Sequence, residues 1–301
     1  MDAKQTVRRA LEHGLVVPAF NIPYPPMLKA VAQAIADEDS VGMIQVARLE
    51  WEKFESGSLE NIAEEYGKYA VPGHTLLHLD HVPVIDEDHL EVDYLALIRR
   101  ALAAGYQSVM VDGSRLDLAG NIAATRAVAD LAHEKGVPVE AELGAVMGHE
   151  TSQATIPYEE IFARKLGFTE VDEAKAFVEG SRCDWLSVAV GSVHGAIADN
   201  LKDQKKPAAK LDIERITELR NALNIPLVLH GGSGIVQDYI NRATKAGIAK
   251  INVGTEIRQP YERAMRERND PEYAREVVYT RTRELIRDFL HTANDAKVLN
   301  D

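Results

Sequence analysis

Short runs of apolar residues alternate with stretches of helical periodicity along the whole chain. The apolar runs have the length and the β-branched character of strands that are buried on both faces, as in a parallel sheet. We predict eight such strands, at residues 14–20, 41–46, 75–79, 108–111, 137–142, 185–190, 226–230 and 249–253. Amphipathic helices are predicted between them, at residues 26–37, 59–69, 93–104, 121–135, 172–179, 213–223 and 236–246.

This alternation predicts a closed barrel of the (β/α)8 type. Successive βα units joined by short connections imply a parallel sheet, and eight such units close on themselves. An open, doubly wound sheet is the alternative, but it requires a glycine-rich turn after the first strand, and residues 20–25 contain no glycine. We therefore expect an α/β fold, a TIM barrel formed by a single domain over residues 1–301.

A charged segment follows the eighth strand. Residues 256–291 are rich in helix formers, with apolar residues at helical spacing, and they predict one or two helices with a break near Asn269-Asp270-Pro271. Residues 256–301 are therefore expected to form a C-terminal helical extension. Two roles are open for it: it packs on a partner subunit, or it covers the floor of the barrel.

Composition narrows the class of protein. The chain is 46% apolar and has no apolar run long enough to cross a bilayer, so no membrane partner is expected. Its 34 basic and 47 acidic residues give a net charge of −13, which argues against a nucleic-acid partner. The single cysteine, Cys183, excludes an internal disulfide and predicts a cytoplasmic protein. An anionic ligand would need a site made locally positive by a metal, helix N-termini and a few cations.

Three histidines stand where predicted strands end. His81, His194 and His230 follow the third, sixth and seventh strands. Since the carboxyl ends of barrel strands converge on one mouth, these side chains can meet although they are far apart in sequence. Three imidazoles with an open fourth position are a catalytic zinc arrangement, so we predict a Zn²⁺ site. His78 is expected to point away from Asp80 and to belong to the scaffold.

Carboxylates accompany these histidines. Glu140 and Glu142 stand two residues apart in the fifth strand and point to the same side, into the barrel. Like charges placed close together need a cation or a protein donor to offset them, and Glu142, nearer the strand tip, is a candidate for an extra or alternate metal ligand. Glu140 is expected to support the site or only the scaffold. Asp112, at the tip of the fourth strand, is expected to bind His81 and hold it in the tautomer that the metal requires.

A phosphate site is predicted after the seventh and eighth strands, where two turns of small and polar residues lie. Small residues allow the backbone to approach an anion, and the helix that follows the seventh strand offers free N–H groups. In barrels this corner of the mouth is a recurrent phosphate site. The two turns are Gly231-Gly232-Ser233-Gly234 and Asn252-Val253-Gly254-Thr255.

Together these motifs resemble the class II, metal-dependent ketose-bisphosphate aldolases, the family of the fructose- and tagatose-bisphosphate aldolases. The similarity covers most of the chain, over residues 17–255. The motifs that carry it are Val17-Pro18-Ala19-Phe20-Asn21, His78-Leu79-Asp80-His81 and Met110-Val111-Asp112-Gly113-Ser114, with residues 139–144, 191–195, 230–234 and 250–255.

The resemblance implies a zinc-dependent lyase. Such an enzyme reversibly cleaves a phosphorylated ketose, for example a ketose 1,6-bisphosphate, into dihydroxyacetone phosphate and an aldehyde through a zinc-stabilised enediolate. The acid that matches Asp80 handles the proton on the aldehyde-side oxygen. Glu150 stands at the position of a catalytic glutamate on the loop after the fifth strand, and Asn252 matches a residue that contacts the substrate hydroxyls and the enediolate.

The resemblance also assigns the substrate positions. The phosphate is held at several of them, often with a monovalent cation, Na⁺ or K⁺, nearby. The matching residues of this chain are Asn21, Gly195, Gly231, Gly232, Ser233, Gly254, Thr255 and Arg258.

Several positions depart from the family pattern. Val82 replaces the usual glycine after the metal-binding histidine, and Ala47 replaces a strand-two serine that lies near the substrate. Gly254 stands where fructose-type enzymes carry Asp and tagatose-type enzymes a small residue, whereas Arg258 matches an arginine used for the far phosphate in some members. We therefore expect the metal and enediolate chemistry to be intact and the aldehyde half of the substrate to differ.

Two alternatives stay open. One is a metal-dependent epimerase or hydrolase of the same fold, in which the histidines activate water. The other is a catalytically inactive relative that binds a sugar phosphate. Asn252 and the phosphate corner disfavour the first, and the retention of Asp80, Glu150 and the three histidines disfavours the second. We expect a small-molecule sugar phosphate as the ligand and a homodimer or homotetramer as the assembly.

Overall fold

The computed structural model describes residues 1–144, 158–192, 209–232 and 234–301. Eight parallel strands form a closed barrel in which each strand pairs with the next in chain order and β8 pairs with β1. The predicted (β/α)8 barrel is therefore confirmed. The strands are β1 Val17–Asn21, β2 Gly42–Ala47, β3 Thr75–Pro83, β4 Ser108–Asp112, β5 Val139–Leu143, β6 Trp185–Val188, β7 Leu227–Leu229 and β8 Ile248–Val253.

Helices surround this barrel and extend the chain at both ends. Each helix predicted between strands is present, and its ends lie within a few residues of the prediction. In the part of the chain that the structure describes, no helix is both long and apolar enough to cross a bilayer. The helices are α1 Ala3–His13, α2 Pro26–Asp37, α3 Arg48–Lys53, α4 Leu59–Tyr69, α5 Tyr94–Ala104, α6 Leu118–His133, α7 Tyr158–Arg164, α8 Val171–Ser181, α9 Ile213–Leu223, α10 Gln237–Ala246, α11 Thr255–Arg268, α12 Pro271–Glu284 and α13 Ala296–Asn300.

The interior of the barrel is layered from an apolar floor to a polar mouth. Near the N-terminal ends of the strands, Met43, Trp185 and Val228 belong to one apolar cluster with Val7 of α1 and Leu299 of α13. These two terminal helices therefore close the floor. Polar side chains follow toward the carboxyl ends of the strands, and they are buried as completely as the apolar ones. Because buried polar groups need partners, this upper layer is where specific chemistry is expected.

An irregularity in β3 shapes the mouth. The pairing of β3 with β4 shifts register between Leu79 and Val82, and His81 has a left-handed backbone with φ of 31°. In a regular strand, Asp80 and His81 would point to opposite faces. The shift instead lets ligand atoms of both residues lie within 4.8 Å of each other and of His230.

The C-terminal extension lies against its own barrel. As predicted, the helical segment breaks at Asn269, whose φ is 49°, and Asp270 then caps α12. Helix α12 packs beside α2, where Tyr279 donates to Asp37 at 2.6 Å and Arg283 pairs with Glu38 at 2.5 Å. The extension covers its own barrel, and covering the floor was one of the two roles left open for it. Helix α13, together with α1, covers the floor, while α12 covers the side of the barrel.

Candidate active site

Two of the predicted metal histidines lie together at the mouth of the barrel. The Nε2 atom of His81 and the Nδ1 atom of His230 are 2.8 Å apart, although 149 positions separate the two residues in sequence. His81 is held by the irregular end of β3, and His230 directly follows β7. His194, the third predicted ligand, lies outside the described residues.

Carboxylates orient both imidazole rings. His230 places Nε2 at 2.8 Å from Oε1 of Glu140, and His81 places Nδ1 at 3.6 Å from Oδ2 of Asp112. Because an ionised carboxylate only accepts hydrogen bonds, Nε2 of His230 carries its proton toward Glu140. Nδ1 of His230 faces both Nε2 of His81 at 2.8 Å and the carboxylate of Glu142 at 3.3 Å. This position between the two rings therefore suits a shared proton or a metal ion.

The electrostatic potential at these two histidines is strongly negative. Burial lowers the pKa of His81, but the carboxylates of Asp80, Asp112 and Glu142 outweigh it and raise the pKa to about 10. Burial raises the pKa of Glu142, and the nearby charge of Asp112 raises it further. The carboxylates that hold a proton on His81 would equally stabilise a divalent cation.

The side chains therefore form a donor set that could hold a metal. Imidazole nitrogen and carboxylate oxygen are the ligands that zinc takes in catalytic sites. Glu142, predicted as the alternate ligand, has an oxygen 3.3 Å from Nδ1 of His230. Within the described residues, the sets of three whose ligand atoms lie close enough at this mouth are Asp80, His81 and His230, and His81, Asp112 and Glu142.

Asp80 lies beside the histidines and is held by three side-chain amides. Its Oδ1 accepts from Asn252 at 3.0 Å, and its Oδ2 accepts from Asn21 at 2.9 Å and from Gln45 at 3.3 Å. Burial acts to raise the pKa of Asp80, but the positive charge of His81 and of other neighbouring cationic groups outweighs it and lowers the pKa. The structure thus keeps an ionised, fully bonded carboxylate next to the predicted metal histidines.

His78 corrects one expectation. It was expected to point away from Asp80, but residues two apart in a strand share a face. Ligand atoms of His78, Asp80 and Glu140 lie within 4.8 Å of one another inside the barrel. His78 places Nδ1 at 2.8 Å from the hydroxyl of Ser108. Burial, followed by the charge of a nearby lysine, lowers the pKa of His78 to about 3, so it is a neutral member of the interior layer.

The sequence analysis missed that lysine. Lys250, on β8, has no solvent-exposed side-chain surface. Its Nζ lies 2.9 Å from Oε2 of Glu140 and 2.6 Å from Oδ1 of Asn252. A lysine within an otherwise apolar strand, two residues before a predicted site residue, was the signal that could have identified it.

Glu50 was missed as well. It lies in the first turn of α3, and its Oε2 accepts from the backbone N–H of Ala47 at 2.8 Å. The same oxygen is 3.5 Å from the side-chain nitrogen of Asn21, which also donates to Asp80. Glu50 is only 8% exposed. A second buried carboxylate therefore adjoins the site on the side of β1 and β2.

The backbone is tightly packed at the predicted phosphate corner. Gly231 adopts φ of 67°. At Gly232 a Cβ atom would lie 2.9 Å from the carbonyl oxygen of Asn252, so a side chain there would force the two backbones apart. Thr255 begins α11 directly after Gly254, so backbone N–H groups of that first turn lie at the same corner. The predicted site residues Gly195, Ser233 and Glu150 lie outside the described residues.

Arg258 lies on α11 near this mouth, but its charge is already engaged. Its Nη1 atom is 2.8 Å from both carboxylate oxygens of Glu262, and its guanidinium lies 5.3 Å from the ring centre of Phe54. The side chain is buried. A phosphate could use Arg258 only in competition with Glu262.

Solved structures similar to this chain include two aldolases. The YdjI aldolase from Escherichia coli K12 is 28% identical, with a TM-score of 0.76 over 98% of this chain and 98% of its own. The fructose-bisphosphate aldolase of Campylobacter jejuni is 17% identical and has a TM-score of 0.72 over 98% of this chain and 96% of its own, so it supports the fold alone.

The sequence itself gives the family. A model of the class II fructose-bisphosphate aldolases matches residues 1–297, which is nearly the whole chain. This agrees with the histidine and carboxylate donors at the mouth and with the similar barrels among aldolases. The chain therefore belongs to the family of class II fructose-bisphosphate aldolases.

Proposed function

We propose that this class II aldolase uses zinc to cleave a phosphorylated ketose reversibly into dihydroxyacetone phosphate and an aldehyde. The observation that carries the proposal is the placement of Asp80. Its carboxylate is buried and bonded to three amides, neighbouring cationic groups keep its pKa low, and its ligand atoms lie within 4.8 Å of those of His81 and His230. A base placed beside a metal site is what retro-aldol cleavage of a hydroxylated substrate requires.

The metal would be held by His81 and His230, with His194 as the third ligand and Glu142 as an alternate one. Asp112 would keep its contact with His81 and fix the direction of that ring. When bound, zinc would supply Lewis acidity that polarises the ketone of the substrate.

The protein's own side chains would move the protons. Asp80 removes the proton from the hydroxyl next to the bond that breaks, and that hydroxyl becomes the aldehyde. The electrons of the broken carbon–carbon bond pass into an enediolate, whose negative oxygen Asn252 stabilises through its side-chain N–H. Glu150 then protonates the carbanion carbon and gives dihydroxyacetone phosphate. In the aldol direction the same proton transfers run in reverse.

The ketose phosphate would bind at the corner formed by β7 and β8. Backbone N–H groups of Gly231, Gly232 and Thr255 suit a phosphate because the two glycines carry no side chain of their own and the start of α11 favours an anion. Gly195 and Ser233 complete this group by resemblance to the family, with Na⁺ or K⁺ beside the phosphate.

The other end of the substrate would differ from that of fructose bisphosphate. Gly254 offers no carboxylate that could bind the sugar hydroxyls. The guanidinium of Arg258 is already paired with the carboxylate of Glu262. We propose tagatose 1,6-bisphosphate or another phosphorylated keto-sugar as the better substrate.

The test is a synthesis assay. Purified protein is supplied with Zn²⁺, dihydroxyacetone phosphate and a panel of phosphorylated and unphosphorylated aldehydes, and the products are identified by mass spectrometry and NMR. We expect one class of ketose phosphate to accumulate. Release of phosphate without a new carbon–carbon bond would instead favour the hydrolase, and epimerisation of a ketose phosphate supplied in a parallel reaction would favour the epimerase.

A further inference from the structure

Lys250 makes two contacts that lead to different halves of the site. On one side its Nζ pairs with Oε2 of Glu140 at 2.9 Å, and the other oxygen of Glu140 binds Nε2 of His230 at 2.8 Å. On the other side Nζ donates to Oδ1 of Asn252 at 2.6 Å, and Nδ2 of Asn252 donates to Asp80 at 3.0 Å. One buried ammonium group thus connects a predicted metal ligand with the predicted base.

The contact with Asn252 fixes which end of its amide faces the site. An ammonium only donates and an ionised carboxylate only accepts. With Lys250 at one end and Asp80 at the other, only one orientation of the amide satisfies both neighbours. The amide N–H is therefore directed to the side where Asp80 and the substrate lie. Without the ammonium, rotation of this amide would no longer carry the same penalty.

The contact with Glu140 has a similar effect on His230. Lys250 compensates the charge of Glu140 in an interior where an unpaired carboxylate would be costly. Glu140 can then stay ionised and accept the Nε2 proton of His230, which directs Nδ1 toward His81 and the predicted metal position.

We propose that Lys250 is a positioning residue that orients both Asn252 for the substrate oxyanion and, through Glu140, His230 for the metal. The role assigned to Asn252 rests on the proposed function. The role assigned to His230 does not rest on it, since metal binding can be measured without a substrate.

The first experiment compares Lys250→Met, Asn252→Ala and the double variant. The measured quantity is kcat for hydrogen exchange between dihydroxyacetone phosphate and solvent at saturating Zn²⁺. We expect Lys250→Met to lower kcat roughly 10²-fold, as loss of one oriented oxyanion donor does, with little change in KM. Since Lys250 would act on this step through Asn252, the double variant should be no slower than Asn252→Ala. If the two losses multiply instead, Lys250 does not act through Asn252 and the proposal is overturned.

The second experiment measures zinc affinity by competition with a chelating dye. Lys250→Met should weaken zinc binding by about 10–100-fold, as loss of support for a metal-bound histidine does, whereas Asn252→Ala should bind zinc as the wild type does. Lys245→Met, which removes an exposed lysine at the end of α10, is the matched control and should change neither quantity. Equal zinc affinity in Lys250→Met and the wild type would contradict the role assigned through Glu140.

A further variant covers the case in which Lys250→Met does not fold. Lys250→Met combined with Glu140→Gln leaves no buried charge unpaired, and the glutamine side chain keeps an amide oxygen for His230. We expect this variant to fold and bind zinc, with exchange still roughly 10²-fold slow because no cation holds Asn252. Recovery of wild-type exchange would show that Lys250 only balances charge and would overturn the proposal. If the wild type catalyses no exchange at all, the proposed function fails, while the zinc titration still decides the part that concerns His230.

Discussion

The carboxylates of Asp80 and Glu50 share one side-chain amide. The Nδ2 atom of Asn21 lies 2.9 Å from Oδ2 of Asp80 and 3.5 Å from Oε2 of Glu50. The pKa values of the two carboxyl groups are nevertheless shifted in opposite directions. Neighbouring cationic groups, His81 first, outweigh burial and lower the pKa of Asp80, whereas burial raises the pKa of Glu50 to about 8. Two adjacent carboxyl groups are thus suited to different roles, with Asp80 as the base.

This difference predicts a pH-dependent stability effect at Glu50. Between its ordinary pKa of 4.5 and the raised value of about 8, the folded protein keeps a proton that the unfolded chain releases. Glu50 therefore destabilises the fold increasingly as the pH rises through this range, and the effect is constant above it. Glu50→Gln should abolish it. In thermal unfolding from pH 5 to pH 8.5, the Tm of the variant should rise relative to that of the wild type as the pH increases.

Glu52→Gln is the matched control for this measurement. Glu52 lies in the same helix, α3, with its side chain 45% exposed, so its removal should not change the pH dependence. A difference between Glu50→Gln and the wild type that stays constant from pH 5 to pH 8.5 would contradict the assignment.

Asp80→Asn tests the proposed base. The variant keeps the shape of the side chain and one acceptor oxygen but cannot take a proton. Cleavage should fall by roughly 10²–10⁴, the usual contribution of a positioned acid or base. Hydrogen exchange from dihydroxyacetone phosphate into solvent should survive, because that step needs no group on the aldehyde side. Cleavage is followed by a coupled assay, exchange by NMR, and zinc content by elemental analysis.

Glu150→Gln is the complementary variant. Of the two steps, hydrogen exchange from dihydroxyacetone phosphate into solvent should be the one that it slows most. If Asp80→Asn loses its zinc, or loses exchange and cleavage to the same extent, Asp80 has a structural role and the assignment as base is wrong.

Metal dependence follows from the paired histidines. Chelation should abolish cleavage, and added Zn²⁺ or Co²⁺ should restore it. His81→Ala should lower the bound zinc measured by elemental analysis, because it removes one of two nitrogens that face each other at 2.8 Å. His13→Ala, at the exposed end of α1, should retain zinc. Full cleavage by a verified metal-free preparation would refute the zinc mechanism.

Substrate preference follows from Gly254 and the Arg258–Glu262 pair. We expect kcat/KM for tagatose 1,6-bisphosphate, or for another phosphorylated keto-sugar, to exceed that for fructose 1,6-bisphosphate. A coupled assay for dihydroxyacetone phosphate measures all of them under the same conditions. A clear preference for fructose 1,6-bisphosphate over its epimer would overturn this proposal and leave the zinc and proton chemistry untouched.

The fold could be predicted from the sequence because the strands are buried on both faces. Mainly apolar runs then mark most of the strands, as in β2, where all six residues are buried. Helix α1 was not predicted, although Asp2 caps its start and Gly14 ends it with φ of 64°. Its first turns carry several charges, and the buried side chains of Val7 and Leu11 pack against the floor.

The candidate site could be predicted from the sequence only in part. Strand-end positions indicated His81, His230 and Asp80, because residues at strand tips converge whatever their separation in sequence. The supporting interior layer was missed, since the partners of Lys250 and Glu50 come from other strands and no local pattern reveals them. The register shift near Val82, at the end of β3 where ligand atoms of Asp80 and His81 lie close together, was not predicted either.

The backbone at His81 restricts what evolution can place there. A positive φ of 31° is costly for most side chains, and β-branched residues tolerate it least, whereas histidine, asparagine and aspartate occur in the left-handed region more often than others. The proposed metal role and the backbone therefore place two requirements on this position, a ligand atom and a permissible φ. Aspartate meets both, whereas a residue that tolerates a positive φ poorly would require a change in the path of β3.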